Sequence, residues 1–237
     1  MRSIRPPGGP TTTLFLAAVV AAGVALPATS AASAPLTKAQ ARSIAKHVNL
    51  RATDFPGYTS HPYQSSKSAR ATDRQYADCV GLAPAFAKVH SPSYDDGSSA
   101  IYSSVTEFVT SRKTAQRDDR RSASANARAC LNKELLDIAN GVGSTSTQVT
   151  VTPVAESPVA GLDAIYADRW SATYTVVGYT GTLHGWVVGF SRGNVEASLD
   201  EIGTTEVAES KLQAPFTAVA GRLKQKVAVQ GVPVRHS

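Results

Sequence analysis

The chain has no apolar run long enough to cross a membrane: Leu14 to Leu26 is uncharged and apolar, but it has 13 residues against the ~20 that a spanning helix needs. Histidine and cysteine are also sparse. The five His, at 47, 61, 90, 184 and 236, contain no HxH or HxxxH pair, and metal ligation needs such clustering. The two Cys, Cys79 and Cys130, stand 51 residues apart, a spacing that excludes a CxxC redox pair and a zinc knuckle. Asp95-Asp96-Gly97 lacks the further oxygen ligands and the offset Glu of a calcium loop, so it reads as a turn. Neither a metal nor a chemical cofactor is expected. Charge is nearly balanced, 24 Lys+Arg against 18 Asp+Glu, which is too small an excess to argue for a nucleic-acid partner.

What is present at the N-terminus is the layout of a secretory signal peptide. Arg2 and Arg5 precede the short apolar run, and the small residues Ala28 to Ala34 follow it. Residues 1–32 are therefore expected to be removed, leaving 205 of the 237 residues as one domain over 36–230 and a flexible tail over 231–237. No Cys precedes Cys79, so no thiol offers a lipid attachment point. A secreted, extracellular monomer without a stable membrane anchor is expected. Two Cys in an exported chain are most simply one disulfide.

Alternation marks the second half of the chain. In Ile165 to Val177 the even positions Tyr166, Trp170, Ala172, Tyr174 and Val176 are mostly apolar, and in Thr182 to Arg192 His184, Trp186, Val188 and Phe190 share one parity. Val149 and Val151 begin this series, and Val195, Ala197 and Leu199 continue it. Turns are expected at Gly178 to Gly181 and at Arg192-Gly193-Asn194. With no crossover helix between them, four such strands form an antiparallel meander, and Ala100 to Val109 reads as a fifth. Helical spacing places helices at Thr37–Val48, from Asp73 as N-cap through Val80, at Ala85–Val89, over Ser111–Ala139 and at the end, where Ala208, Leu212, Phe216, Val219 and Leu223 recur. Pro215 suits the first turn of that last helix. Thr59 to Ala71 is polar and reads as a surface loop. The expected fold is α+β: a single, mostly antiparallel sheet of about five strands packed with helices and closed by a C-terminal helix.

The combination of Asp54-Phe55-Pro56-Gly57-Tyr58, Cys79-Val80-Gly81, Ser91-Pro92, Ser103-Ser104-Val105, Cys130-Leu131 and a meander followed by a helix resembles a broad set of actinobacterial exported proteins. These are the extracellular sensor domains of PknH-type receptor kinases and similar lipoproteins, some with a PsbP-like α+β sandwich. The resemblance covers about Ile44 to Val227 and implies a sensor-like binding domain. The chain departs from that set in having one Cys pair, no kinase and no lipid-attachment Cys.

Three functional classes follow. A non-catalytic binding or sensor-like module would use a ligand groove at the aromatic residues Trp170, Tyr174, His184 and Trp186 and take a small apolar molecule. An envelope-acting hydrolase would use His184 as its acid or base. A surface protein would contact envelope polymers through the basic run Arg112 to Arg121, whose field Asp118 and Asp119 cut. His184 also reads as a core histidine bonded to a neighbour, and the aromatics as ordinary core. N-terminal sequencing of protein recovered from culture medium should find a first residue between Ala31 and Pro35; uncleaved protein confined to membranes would overturn the export reading.

Overall fold

The computed structural model describes residues 35–97, 100–141, 147–227 and 233–234, and the expected signal peptide lies outside them. Helix α1 (Lys38–Val48) starts at a capping box in which Thr37 Oγ1 accepts from the Gln40 amide and Gln40 Oε1 accepts from the Thr37 amide. A single 3-10 turn, Ala52–Asp54, precedes strand β1 (Thr59–His61) and helix α2 (Lys67–Val80). Strands β2 (Ala87–His90), β3 (Ser93–Asp95) and β4 (Ala100–Phe108) come next. Helices α3 (Arg112–Ser122) and α4 (Ala125–Gly141) lead into the meander β5 (Thr147–Val154), β6 (Ala164–Val176), β7 (Tyr179–Arg192) and β8 (Val195–Gly203), and α5 (Glu209–Lys226) closes the fold.

The strands form one antiparallel sheet in the order β1-β3-β4-β8-β7-β6-β5, with β2 sharing the outer edge of β4 with β3. Its two faces are told apart at neighbouring residues of β7. Phe190 packs edge-on against Phe216 of α5, whereas Ser191 donates to Asp119 Oδ2 of α3 at 2.6 Å; successive strand residues point to opposite faces. Helices α1 and α5 cover the first face over Phe108, Val195, Leu199 and Leu223, all fully buried. Arg222 ties these two layers to the chain before β1 by a bidentate pair with Asp54, itself only slightly exposed. Helices α2, α3 and α4 cover the second face. The Cys79–Cys130 disulfide joins α2 to α4 across a Cα separation of 6.0 Å.

The hairpin β6–β7 turns on Val177-Gly178, both at positive φ (48° and 80°), the geometry a two-residue hairpin loop requires. Gly tolerates it; Val177, fully exposed, carries the strain. With Val176 opposite Tyr179, even positions on β6 pair with odd positions on β7: Tyr166 with Gly189, Trp170 with Gly185, Tyr174 with Gly181. Each ring lies across the glycine it pairs with. A Cβ at Gly185 would sit 2.4 Å from the Trp170 ring and 2.6 Å from the Glu201 carbonyl oxygen, and one at Gly189 would sit 2.1 Å from Tyr166.

Several expectations are corrected here. Eight strands are found among the described residues where about five were expected. The extra three, β1 to β3, lie where a loop, a short helix and a turn were read, because strands of three or four residues are stabilised by their sheet neighbours rather than by local pattern. Helix α2 begins at Lys67 inside the expected polar loop, so Asp73 is an interior residue and not a cap. The expected single helix over 111–139 breaks at Ala123-Ser124, where Ser124 Oγ accepts from the Ala127 amide. Pro215 is buried inside α5 and does not begin it. The reversal expected at Gly178–Gly181 is the tighter Val177-Gly178. Val234, expected in a flexible tail, is buried and bridges Leu36.

Gly185→Ala should therefore destabilise the fold by about 1–3 kcal/mol, the usual range for overpacking, while Gly221→Ala in α5, where a Cβ meets nothing within 4 Å, should stabilise it by about 0.5–1 kcal/mol. Thermal melts of the two variants beside the parent check both signs.

Candidate functional site

Between the second sheet face and the α2–α4 layer lies a chamber of about 280 Å³ that is open to solvent on one side. Its roof is Asp73, Tyr76 and Ala77 of α2 with Leu131 and Glu134 of α4. Its floor comes from β2, β4, β6 and β8, which alternate so that Lys88 and His90, Val105 and Glu107, Tyr166 and Asp168, and Glu196, Ser198 and Asp200 are all on this face. The Cys79–Cys130 bridge pins the two roof helices beside each other. Closing a loop of that length is worth about 4 kcal/mol in the chain-entropy model.

Six carboxyl groups line the chamber, with Lys88 as the one lysine and His90 as the one histidine among the lining residues. Lys88 Nζ lies 2.9 Å from Glu107 and 3.1 Å from Asp73. Burial would lower the Lys88 pKa, but these two carboxylates outweigh it and the pKa is raised. His90, 3.7 Å from Asp73 and stacked on Tyr63 with ring centroids 3.9 Å apart, is lowered by burial and then by Lys88.

The remaining acids are short of partners. Asp168 is 5% exposed, and its Oδ1 makes no hydrogen bond; the nearest cation, Arg128 Nη1, is 3.7 Å away. Burial raises its pKa against the pull of Arg128. Glu196 Oε1 is likewise buried without a hydrogen bond, and burial pushes this group up to about 9, with Asp119, Asp118 and Glu107 of the surrounding elements adding to it and Arg117 opposing. Glu134 is raised to about 7 by burial and then by Asp73 and Asp200. Asp200 is raised to about 6 by burial, against Lys88 and a hydrogen bond from Ser198. Tyr76 sits among Glu134, Asp168 and Asp200, and burial followed by those three charges raises its phenol.

No protein-family model, curated protein or solved structure matches the chain. The site is therefore argued from its own geometry.

Among the described residues no group of three or more His, Cys, Asp or Glu side chains is arranged to hold a metal ion. The acids are spread along the chamber and do not converge on one point. The four residues expected to form an aromatic ligand groove are not brought together. Trp170 and Trp186 lie on opposite faces: Trp186 Nε1 donates to the Val207 carbonyl at 3.0 Å on the α5 side, while Trp170 covers Gly185 on the other. Tyr174 covers Gly181. His184 shares the Trp186 face, away from the chamber. The shared aromatic face fails because a two-residue hairpin loop pairs even positions with odd ones.

Gly189-Phe190-Ser191-Arg192-Gly193 fits the GxSxG spacing of a nucleophile elbow. That motif needs a strand–turn–helix context. Here it runs into a hairpin, and Ser191 is completely buried with its hydroxyl given to Asp119. The residues that sequence reading missed are Asp168, Glu196 and Asp200. For Glu196 and Asp200 the available signal was charge on the polar side of one alternating strand, a pattern that usually means solvent; for Asp168 it was a carboxylate among the mostly apolar even positions of β6.

Glu196 has the highest of the raised carboxyl pKa values in the chamber. Its folded pKa of about 9 lies above the ~4.3 of an unfolded Glu. The folded state therefore holds a proton that the unfolded state lacks, and stability from this group is full below the lower value and lost as pH rises through the upper one. Glu196→Gln should melt near the parent at pH 5 and progressively above it toward pH 9, measured by thermal denaturation across that range; parallel pH profiles would show that Glu196 ionises freely.

Proposed function

We propose that the chain is an exported, non-catalytic binding module of the cell envelope or extracellular space, sensor-like in that its ligand is held between the sheet and a pair of stapled helices. The observation that carries this reading is the chamber with an almost fully buried carboxylate, Asp168, whose Oδ1 has no hydrogen-bond partner. An unsatisfied buried polar atom costs about 1–3 kcal/mol, and a ligand that meets it recovers that cost on binding. The volume is at the small end of the ~300–1,000 Å³ of ligand pockets, which favours a small molecule over a polymer strand. Export is supported by the signal-like N-terminal segment and by the disulfide, and none of the described helices is long and apolar enough to cross a membrane.

A binding role is favoured over hydrolysis by the state of the candidate nucleophile and base. Ser191 is buried and bonded to Asp119, and His184 lies on the opposite face from the chamber.

Native mass spectrometry of protein purified from culture medium should show an added small-molecule mass on the parent. Ala77→Met, which fills the chamber from the roof, should remove that mass while the melting temperature stays close to the parent's. Identical spectra for parent and variant would refute the chamber as the site. Conversion of the released molecule on re-incubation with the protein would refute the non-catalytic assignment.

A further inference from the structure

We propose, building on the reading of the chamber as a ligand site, that it takes a small aliphatic diamine held as a dication between a Glu134–Asp200 end and a Glu196 end. Charge complementarity is the first reason. Six carboxyls line a chamber in a chain whose overall charge is +6, so the acidity is local to this face and does not reflect composition. Lys88 neutralises Asp73 and Glu107, and Arg128 lies 3.7 Å from Asp168 Oδ1; that oxygen and Glu196 Oε1 still make no hydrogen bond.

Lys88 also shows what the chamber accepts. Its alkylammonium group is held by two carboxylates at 2.9 and 3.1 Å, the contact a second ammonium would make with the remaining acids. Tyr76 and Tyr166 supply aromatic surface for the methylenes between the nitrogens, and ammonium groups are attracted to such rings.

Spacing argues for two charges on one chain. Glu196 and Asp200 are four residues apart on β8, about 13 Å of strand. A compact ion cannot meet both ends, in keeping with the lack of any metal-holding group among the described residues. An alkyl chain of four or five carbons with an N–H···O contact of about 2.8 Å at each end reaches toward both.

Binding should also release protons. Glu134, Asp200 and Glu196 are the acids raised to about 7, 6 and 9. They are faced by Asp73 and Tyr76 from α2, by Lys88 from β2 and by Glu107 from β4, and Asp118, Asp119 and Arg117 of α3 face Glu196. A dication favours the ionised carboxylates and lowers their pKa values. Affinity therefore rises from about pH 6 to about pH 9, until the amines themselves deprotonate near ~10.

The test is calorimetric titration of the intact, disulfide-bonded mature protein with 1,5-diaminopentane, beside 1,5-pentanediol as the neutral isostere and glutarate as the dianion. One-to-one binding of the diamine, absent with diol and glutarate, is expected. Proton release should be read from the difference between two buffers of unlike ionisation heat at pH 7. Glu134→Gln and Glu196→Gln should each weaken binding by about tenfold, the effect of losing one charge-assisted contact; since both alter a carboxyl that burial has shifted, melting curves should show them folded. Diamine binding unchanged in both variants overturns the proposal. Diol binding as tight as diamine binding, lost in Ala77→Met, overturns the diamine but leaves the binding module standing. Absence of any binding, together with identical native masses for parent and Ala77→Met, overturns both.

Discussion

Three rings of β6 lying across three glycines of β7 are the contact on which the rest of this structure depends. Tyr166, Trp170 and Tyr174 occupy the volumes that side chains at Gly189, Gly185 and Gly181 would fill. A slip by one residue would place those rings against Val188, His184 or Trp186 and turn every side chain of the hairpin to the other face. The register therefore assigns Tyr166 and Asp168 to the chamber side and Trp186, Val188 and Phe190 to the core under α1 and α5. It also explains why glycine, weak in strands generally, recurs at intervals of four along the longest strand of the sheet.

Given that register, the chemistry of the chamber follows from desolvation. Strand alternation places acidic residues of β4, β6 and β8 on one face, and α2, α3 and α4 cover that face instead of leaving it to solvent. Covered carboxyls either find cations or keep protons. Asp73 and Glu107 find Lys88; Glu134, Asp200 and Glu196 have their pKa values pushed up. Buried carboxyls left without partners lower stability, and such sites recur where function requires them. The disulfide bears on the same balance, because it constrains the two helices that keep water out. The opposite face carries a related case in Glu201, fully buried between its strand partners Tyr102 and Trp186, with neither oxygen hydrogen-bonded and a pKa raised to about 7 by burial and then Asp96. Glu201 belongs to the core.

Much of this was legible in the sequence where a local signal sufficed. Alternation located the four meander strands and β4; helical spacing located α1 and α5; Arg192-Gly193-Asn194 marked its turn; and the two Cys pointed to the bridge that is found. Legibility ended where a segment's conformation comes from its neighbours. His61, Val89 and Tyr94 lie on strands of three or four residues; those of Val89 and Tyr94 exist because β4 offers an edge, and that of His61 because β3 offers the next one. Asp73 looked like a cap and is a roof residue. His184 and Trp170 looked like one site and are on opposite faces.

The sequence by itself determined the α+β composition, the antiparallel meander, the pairing of its only two cysteines and the acidic positions along β8, because each follows from residue period, residue count or turn chemistry. Only the tertiary structure decided that those acids are covered. Alternation shows that Glu196, Ser198 and Asp200 share a face, but a polar face ordinarily meets water. Whether it meets helices instead depends on where α2 and α4 pack, and that is determined by contacts such as Cys79 with Cys130, Ser191 with Asp119 and Asn132 with the Val149 carbonyl, between residues 17 to 72 positions apart in sequence.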